Sequence, residues 1–177
     1  MLRILRKIRA ARDGMAAVEF ALILPAMLAL LFGGLEVTNV LIVRADVSNI
    51  TSSAADLIAQ ESSVSDADMT NVFSALTALI YPYSTSGAKI IITSVVDDGH
   101  GGGKVAWSDA YNGTAHTVGT AMTVPTGLIT TGGSIVVSEV TYAYTTPSTY
   151  LVKIPVTMTN TFYSHPRRVA QIARTHP

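Results

Sequence analysis

The sequence predicts an α+β protein in which one long N-terminal helix, transmembrane and then amphipathic, packs on a small antiparallel β-sheet head. Three observations predict this class. Residues 16–35 form a 20-residue run with a single charge, and residues 36–60 repeat apolar side chains every three or four positions. From residue 88 onward, β-branched and alternating runs predict about four strands.

The apolar run is long enough to cross a membrane, because 20 helical residues span about 30 Å, the thickness of a hydrocarbon core. A buried core helix is the alternative, but soluble cores rarely hold a helix of this length that is apolar on all sides. A cleaved secretory signal peptide is disfavoured, since its apolar region is shorter and no A-x-A site follows the run here.

The formal net charge of zero is a cancellation between two parts of the chain. Residues 1–14 carry five basic side chains and one acidic one, a charge of +4, whereas the remainder carries seven basic and eleven acidic side chains, a charge of −4. Only Arg44 is basic within ten residues after the run. Because positive flanks stay in the cytoplasm, we expect the N-terminus inside and the bulk of the chain outside.

One acidic residue, Glu19, interrupts the run near its start. An ionisable group within a span costs a few kcal/mol, so it usually has a partner and a function. A position near the cytoplasmic end, from which the carboxylate reaches the headgroups, is the alternative reading. Pro25 is tolerated in membrane helices and can kink this one.

Helical spacing continues beyond the run to about Gln60, which predicts one helix from about Met15. A short juxtamembrane helix followed by a linker at residues 51–53 is the alternative. A second helix is expected over Asp66–Ile80, with Ser65 as its N-cap and Pro82 ending the pattern. Its expected core face consists of apolar side chains at helical spacing: Met69, Val72, Phe73, Leu76, Leu79 and Ile80.

The remaining chain reads as strands separated by Gly-rich turns. The predicted strands are Ala88–Val96, Lys104–Trp107, Ile135–Thr145 and Tyr150–Tyr163, the first two forming a hairpin. Pro155 favours a sheet edge or a bulge, and residues 111–134 read mostly as loop.

The predicted divisions are a basic cytoplasmic leader at 1–14, a transmembrane helix at 15–36, its amphipathic continuation at 37–60 and an extracytoplasmic α+β head at 61–177.

No catalytic or metal-binding pattern emerges. The Gly-rich turn at residues 99–103 fails as a phosphate loop, because Asp98 stands where a Gly is required and Val105 where a Ser or Thr is required. Asp97 and Asp98 lack EF-hand spacing and read as solvated turn acids. The four histidines are scattered, and Cys is absent. We expect no enzyme activity, cofactor, metal, nucleic acid or small-molecule substrate.

The stretch RDGMAAVEF at residues 12–20 resembles the processing site of type IV pilin-like proteins: a basic leader ending in Gly, four residues, then Glu and an aromatic opening an apolar helix. Its continuation, ALILP, is most similar to TadE-type proteins, the minor pseudopilins of tight-adherence (Tad or Flp) pili. A second resemblance is FYSHPRR at residues 162–168, with His165 where Arg is commoner. The matching motif positions there are Tyr163, Pro166, Arg167 and Arg168.

This resemblance implies that a prepilin peptidase cuts between Gly14 and Met15, although Asp13 replaces the basic residue often found before that Gly. Glu19, followed by Phe20, would become the fifth mature residue and set register against a neighbouring subunit. The implied partners are the peptidase, other pilins and pseudopilins, an inner-membrane assembly platform and membrane lipid. The implied location is the bacterial inner membrane, with the head in the periplasm and possible entry into the pilus.

Two alternatives stay open at this point. The chain could be an uncleaved, membrane-anchored periplasmic scaffold or binding protein, or a periplasmic enzyme active in a fragment from about Asp46 onward. The tail arginines Arg167, Arg168 and Arg174 could contact anionic lipid, contact a neighbouring acidic subunit, or lie in a solvated terminus.

Overall fold

A computed structural model describes residues 13–145 and 155–175 of the protein. Helix α1 runs from Asp13 to Ala59 without a break, so the prediction of one long helix is confirmed and the alternative of a linker at residues 51–53 is wrong. The chain forms two compact units, one up to Leu41 and the other from Ile42 onward.

Within the described residues, the second unit contains the end of α1, one further α-helix and the strands. After α1 the elements are β1 (Ser63–Ser65), α2 (Asp66–Ala78), a 3-10 turn (Thr85–Gly87), β2 (Ala88–Asp97), β3 (Gly103–Tyr111), β4 (Ala121–Met122), β5 (Ser134–Thr145), β6 (Pro155–Ser164) and β7 (Ala173–Thr175). The four predicted strands correspond to β2, β3, β5 and β6, whereas β1, β4 and β7 were not predicted. Residues 150–154 of the last predicted strand lie outside the described residues.

The main sheet is antiparallel throughout, with strand order β4-β3-β2-β5-β6. The predicted hairpin of β2 and β3 is confirmed, and Pro155 begins an edge strand as expected. A register shift between Ser94 and Val95 marks a β-bulge against β3. Strands β1 and β7 form a separate parallel pair.

The two faces of the sheet are covered by different parts of the chain. On one face, Val43 and Val47 of α1 share an apolar groove with Val140 and Tyr142 of β5. On the other face, Ile135 belongs to a buried cluster that is covered by side chains from the loop before β5 and by Tyr163. Two-sided burial explains why residues 135–137 are continuously apolar and why alternation begins only further along β5.

Helix α2 begins with the predicted Ser65 N-cap, which forms a capping box with Asp68. The Asp68 amide donates to the Ser65 hydroxyl, and the Asp68 carboxylate accepts from the Ser65 amide and hydroxyl. Met69 and Leu76 are buried as expected. Leu79 was expected on the same core face but is half exposed, because α2 ends at Ala78 and the chain turns there.

Candidate functional site

The residues singled out for processing and assembly lie in the first two turns of α1. Gly14, Met15, Glu19 and Phe20 are all helical and exposed. Met15 and Glu19 are four residues apart, so they lie on one face of the helix, one turn from each other. Among the residues that the structure describes, no side chain or backbone group pairs with the Glu19 carboxylate.

One helix in the described part of the chain is long and apolar enough to cross a membrane. It is the helical stretch Gly14–Ala59, whose most apolar 18-residue window has a mean hydropathy of 2.3 and no buried residue. Pro25 lies inside it without ending it. Proline lacks the N–H that would bond four residues back, so the backbone is weakened locally there. At Thr38 the hydroxyl donates to the Gly34 carbonyl at 2.9 Å, which keeps that polar side chain satisfied within the helix.

The family model for TadE-like proteins matches residues 14–56. This segment is TadE-like. The match begins at Gly14 and extends through the apolar helix into the part of α1 that belongs to the second unit. It covers 43 of the 177 residues. Comparison with curated proteins and with solved structures found no match.

Over this segment the chain is similar to TadE-like proteins. The helix is compatible with a membrane anchor by its length and composition. The α+β architecture agrees with the prediction, since a long apolar N-terminal helix precedes an antiparallel sheet.

The C-terminal motif lies against the end of the TadE-like segment. The Arg167 amide donates to the Ala59 carbonyl at 2.8 Å, and the Arg167 guanidinium pairs with the Asp56 carboxylate. Ala59 is the last residue of α1, so the amide satisfies a carbonyl that has no partner within the helix. The positive charge near this helix terminus is also favourable. Arg167 therefore caps α1.

The other motif residues have different surroundings. Tyr163 packs on the buried cluster of Val95, Ile135 and Val137 on the sheet. Pro166 is half-buried and Arg168 is exposed. The motif thus divides into residues that hold the fold, Tyr163 and Arg167, and one cation, Arg168, that faces outward.

Sequence reasoning missed a charged site of the head that is built around Arg174. Its guanidinium donates to both carboxylate oxygens of Asp109, at 2.8 and 3.1 Å, and also pairs with Asp66. A further donor reaches the Val64 carbonyl at 3.2 Å. The side chain is only 7% exposed, and the hydrogen bonds to Asp109 raise the pKa of Arg174 above its ordinary value.

The expectation of a solvated terminus is therefore wrong at Arg174, because its side chain is nearly buried and bonded to carboxylates of its own chain. Its carboxylate partners lie on β3 and at the start of α2, far away in sequence, so no local sequence pattern predicted these contacts. Two more bonds fasten the same segment: Trp107 donates its indole N–H to Ile172 at 2.8 Å, and Ser134 donates to Ala170 at 2.8 Å. We call residues 165–175 the C-terminal strap.

Backbone amides, three from the Gly-rich turn and one from Gly132, bond to the two acids Asp97 and Asp98. Asp98 accepts from the amides of His100 and Gly102 at 2.7 and 2.9 Å, and Asp97 accepts from the amides of Gly99 and Gly132 at 3.1 and 2.9 Å. These donors lower the pKa of Asp98 below its ordinary value. The acids are therefore not simply solvated, as the sequence suggested, because they order the turn.

The histidines do not form a metal site within the described residues, where no cluster of three or more potential ligands occurs. His116 instead pairs with one carboxylate, Glu139 on β5, at 2.5 Å. This contact fastens the loop after β3 to the central part of the sheet. The pair is about one-third exposed, so its contribution to stability is small.

Proposed function

We propose that this chain is a minor pseudopilin that helps to assemble or prime a Tad/Flp-type pilus or a related secretion apparatus, without enzymatic activity of its own. The observation that carries the proposal is the TadE-like match beginning at Gly14 and running through an exposed, apolar helix. The helix holds the subunit in the membrane, Glu19 sets its register, and the head selects its partners.

In the proposed maturation, a prepilin peptidase hydrolyses the peptide bond between Gly14 and Met15. Water is consumed, a carboxylate forms on Gly14, and Met15 acquires an α-ammonium group. The bond lies in the first turn of α1, which must unwind to enter a protease site. Gly14 favours this step, because Gly weakens a helix by about 1 kcal/mol relative to Ala and brings no side chain near the bond.

Cleavage would also give Glu19 a partner. The new ammonium group and the carboxylate lie one helical turn apart, and a carboxylate in the first turn is favoured by the helix dipole. In a filament the same carboxylate can pair with the ammonium group of a neighbouring subunit. At low dielectric this pairing discriminates strongly against a shifted register, which leaves both charges unpaired.

The proposed topology places residues 1–14 in the cytoplasm and the head in the periplasm, because Lys and Arg concentrate before the span. The proposed partners are the prepilin peptidase, other pilins and pseudopilins, and the inner-membrane assembly platform. The division into a leader, a span at 15–36, a continuation at 37–60 and a head at 61–177 belongs to the same proposal.

Mass spectrometry of the N-terminus tests cleavage. The full chain is expressed with and without an active prepilin peptidase, and we expect the mature form to begin at Met15 only when the peptidase is active. Gly14→Leu should block the conversion, while the adjacent Asp13→Lys serves as the control and should be cut. An intact leader in every strain would refute the processing step and favour the uncleaved periplasmic scaffold or binding protein.

Glu19 variants test the assembly step separately. We expect Glu19→Ala to be cleaved but to lose pilus assembly, with Glu19→Asp retaining part of it because the charge remains. Leu22→Ala, a substitution at a nearby exposed apolar position, is the matched control. Unchanged assembly by Glu19→Ala would favour a plain membrane anchor.

A further inference from the structure

One edge of the main sheet is long and uncharged. Strand β6 is last in the order β4-β3-β2-β5-β6, and among the described residues no strand pairs with its outer side. Its ten residues pair with β5 without a register shift, and none of them is charged. Natural proteins keep edge strands from pairing with other chains by making them short, bulged or charged. The opposite edge strand, β4, has only two residues, whereas β6 has none of these three protective features.

The backbone of β6 directs hydrogen-bonding groups outward at its threonines. The amide of Thr161 donates to the side-chain oxygen of its neighbour Asn160 at 3.1 Å, so this amide faces away from β5. Because backbone groups alternate between the two sides of a strand, the N–H and C=O groups of Thr157 and Thr159 point outward as well. The side chains of the three threonines are exposed. The outer side of β6 therefore presents a row of main-chain donors and acceptors to another strand.

The sequence of β6 is complementary to itself about Thr159. When a second copy lies antiparallel and centred there, Thr159 faces its own counterpart and Thr157 faces Thr161. These are the residues whose backbone groups point outward, as hydrogen-bonded pairs require. On the other face of the strand, Val156 faces Phe162, whose side chain is 41% exposed. Thr–Thr and aromatic–β-branched pairs are favourable across strands, and no like charges meet.

Pro155 limits the length of this pairing. In the same register it lies opposite Tyr163, and proline has no N–H to donate. The ladder therefore extends from Val156 to Phe162 on each copy and contains about six main-chain hydrogen bonds.

We propose that β6 pairs antiparallel with β6 of a second copy of this chain, centred on Thr159, so that two five-stranded sheets become one. A two-fold axis at Thr159 relates the copies, and the same strand edge serves on both sides of the interface. The partner is a second copy because the threonine pattern matches itself in this register. The inference does not depend on the proposed function, since every residue that it uses belongs to the unit from Ile42 onward.

Single cysteines test the pairing and its register, because the chain contains no Cys of its own. Thr159→Cys, Thr157→Cys and Thr161→Cys are made in the full chain, purified in an excess of detergent micelles and mildly oxidised. Facing residues of a hydrogen-bonded pair have Cα atoms about 5.5 Å apart, within disulfide range. Two copies of Thr157→Cys are displaced by four residues along the strand, about 14 Å, which is beyond that range.

We expect Thr159→Cys to form a covalent dimer, and Thr157→Cys and Thr161→Cys each to stay monomeric alone but to form a mixed dimer when combined. Absence of the Thr159→Cys dimer overturns the inference. An equal yield of dimer from Thr157→Cys alone indicates random collision and overturns it as well. The oxidation of Thr159→Cys is repeated in membranes of the expressing cells, where a product heavier or lighter than twice the chain would show a different partner on this edge and refute the second copy.

A charge at the centre of the pairing gives an independent test. Thr159→Lys is added to both Thr157→Cys and Thr161→Cys, which places two ammonium groups opposite each other across the two-fold axis. We expect the mixed dimer to be lost, and to return when one partner carries Thr159→Glu in place of Thr159→Lys. Thr159 is exposed, so circular dichroism melts of these variants should match that of the unmodified chain. An unchanged yield of mixed dimer with Lys on both partners overturns the inference.

Discussion

Arg174→Ala should destabilise the head strongly, although Arg174 is the fourth residue from the end of the chain. The substitution removes five N–H donors from a site where two carboxylates and two carbonyls accept from them. Asp109 is 24% exposed and keeps little access to water, whereas Asp66 is 49% exposed and can be solvated.

The expected loss of stability follows from the difference in exposure between Asp109 and Asp66. Breaking a fully buried ion pair costs about 3–5 kcal/mol, and losing an exposed pair costs about 0–1 kcal/mol. Asp109 lies between these limits and loses a bidentate partner, so we expect a total loss of about 2–4 kcal/mol in the free energy of unfolding. For a chain of this size the melting temperature should fall by about 5–15 °C.

Urea denaturation of the full chain in detergent micelles measures the loss. Trp107 reports on the strap, because its indole N–H bonds to Ile172, two residues before Arg174, while far-ultraviolet circular dichroism reports on the whole head. Arg174→Lys keeps the charge but not the planar fork, so it should recover about half of the loss. Arg168→Ala, an exposed cation in the same strap, is the control. Stabilities of Arg174→Ala and Arg168→Ala within about 0.5 kcal/mol of each other would refute the reasoning.

Three further predictions concern the head. Ser65→Ala should cost about 1 kcal/mol by removing the N-cap of α2. Hydrogen bonds from Ser65 lower the pKa of Asp68, so the stabilisation from that carboxylate is present above its ordinary pKa of 3.8 and is lost as the pH falls below it. In urea titrations the difference between Ser65→Ala and the unmodified chain should therefore shrink in acid without vanishing, because the bond from the Asp68 amide to the Ser65 hydroxyl does not depend on pH. Gly103→Ala should cost about 1–3 kcal/mol, since the added Cβ would lie 2.6 Å from a Val95 methyl carbon, whereas Gly113→Ala, with no neighbour closer than 3.7 Å, should melt like the unmodified chain. Trp107→Phe should cost about 1–3 kcal/mol by leaving the Ile172 carbonyl without its donor, and an unchanged circular dichroism melt would contradict this.

Local patterns predicted the helices and the hairpin well. The α2 N-cap depends on two side chains three residues apart, Ser65 and Asp68, so its chemistry is complete within the sequence window. Strands β2 and β3 are joined by a short Gly-containing turn, so their pairing is also nearly local. Strand β4 has only two residues and could not be recognised by alternation.

The candidate-site residues likewise divide into those recognised from the sequence and those whose contacts only the fold shows. Glu19 was singled out as the one charge in the apolar run, and Gly14 through the resemblance to type IV pilin-like processing sites. The family match that begins at Gly14 agrees with that resemblance. Their roles in processing and register stay predictions. By contrast, Arg167 looked like a motif residue of unknown use, and its contact with the end of α1 spans more than a hundred residues.

The sequence by itself determined the apolar helix, its charge asymmetry and the Gly14-to-Glu19 spacing, because hydropathy, charge and helical period are properties of neighbouring residues. Only the tertiary structure decided the parallel pairing of β1 with β7, the site that holds Arg174, and the exposure of Leu79. The physical reason is chain closure. The Arg174 guanidinium bonds to carboxylates 65 and 108 residues away, so the site exists only once β7, β3 and α2 have packed together. No local sequence pattern predicts that packing.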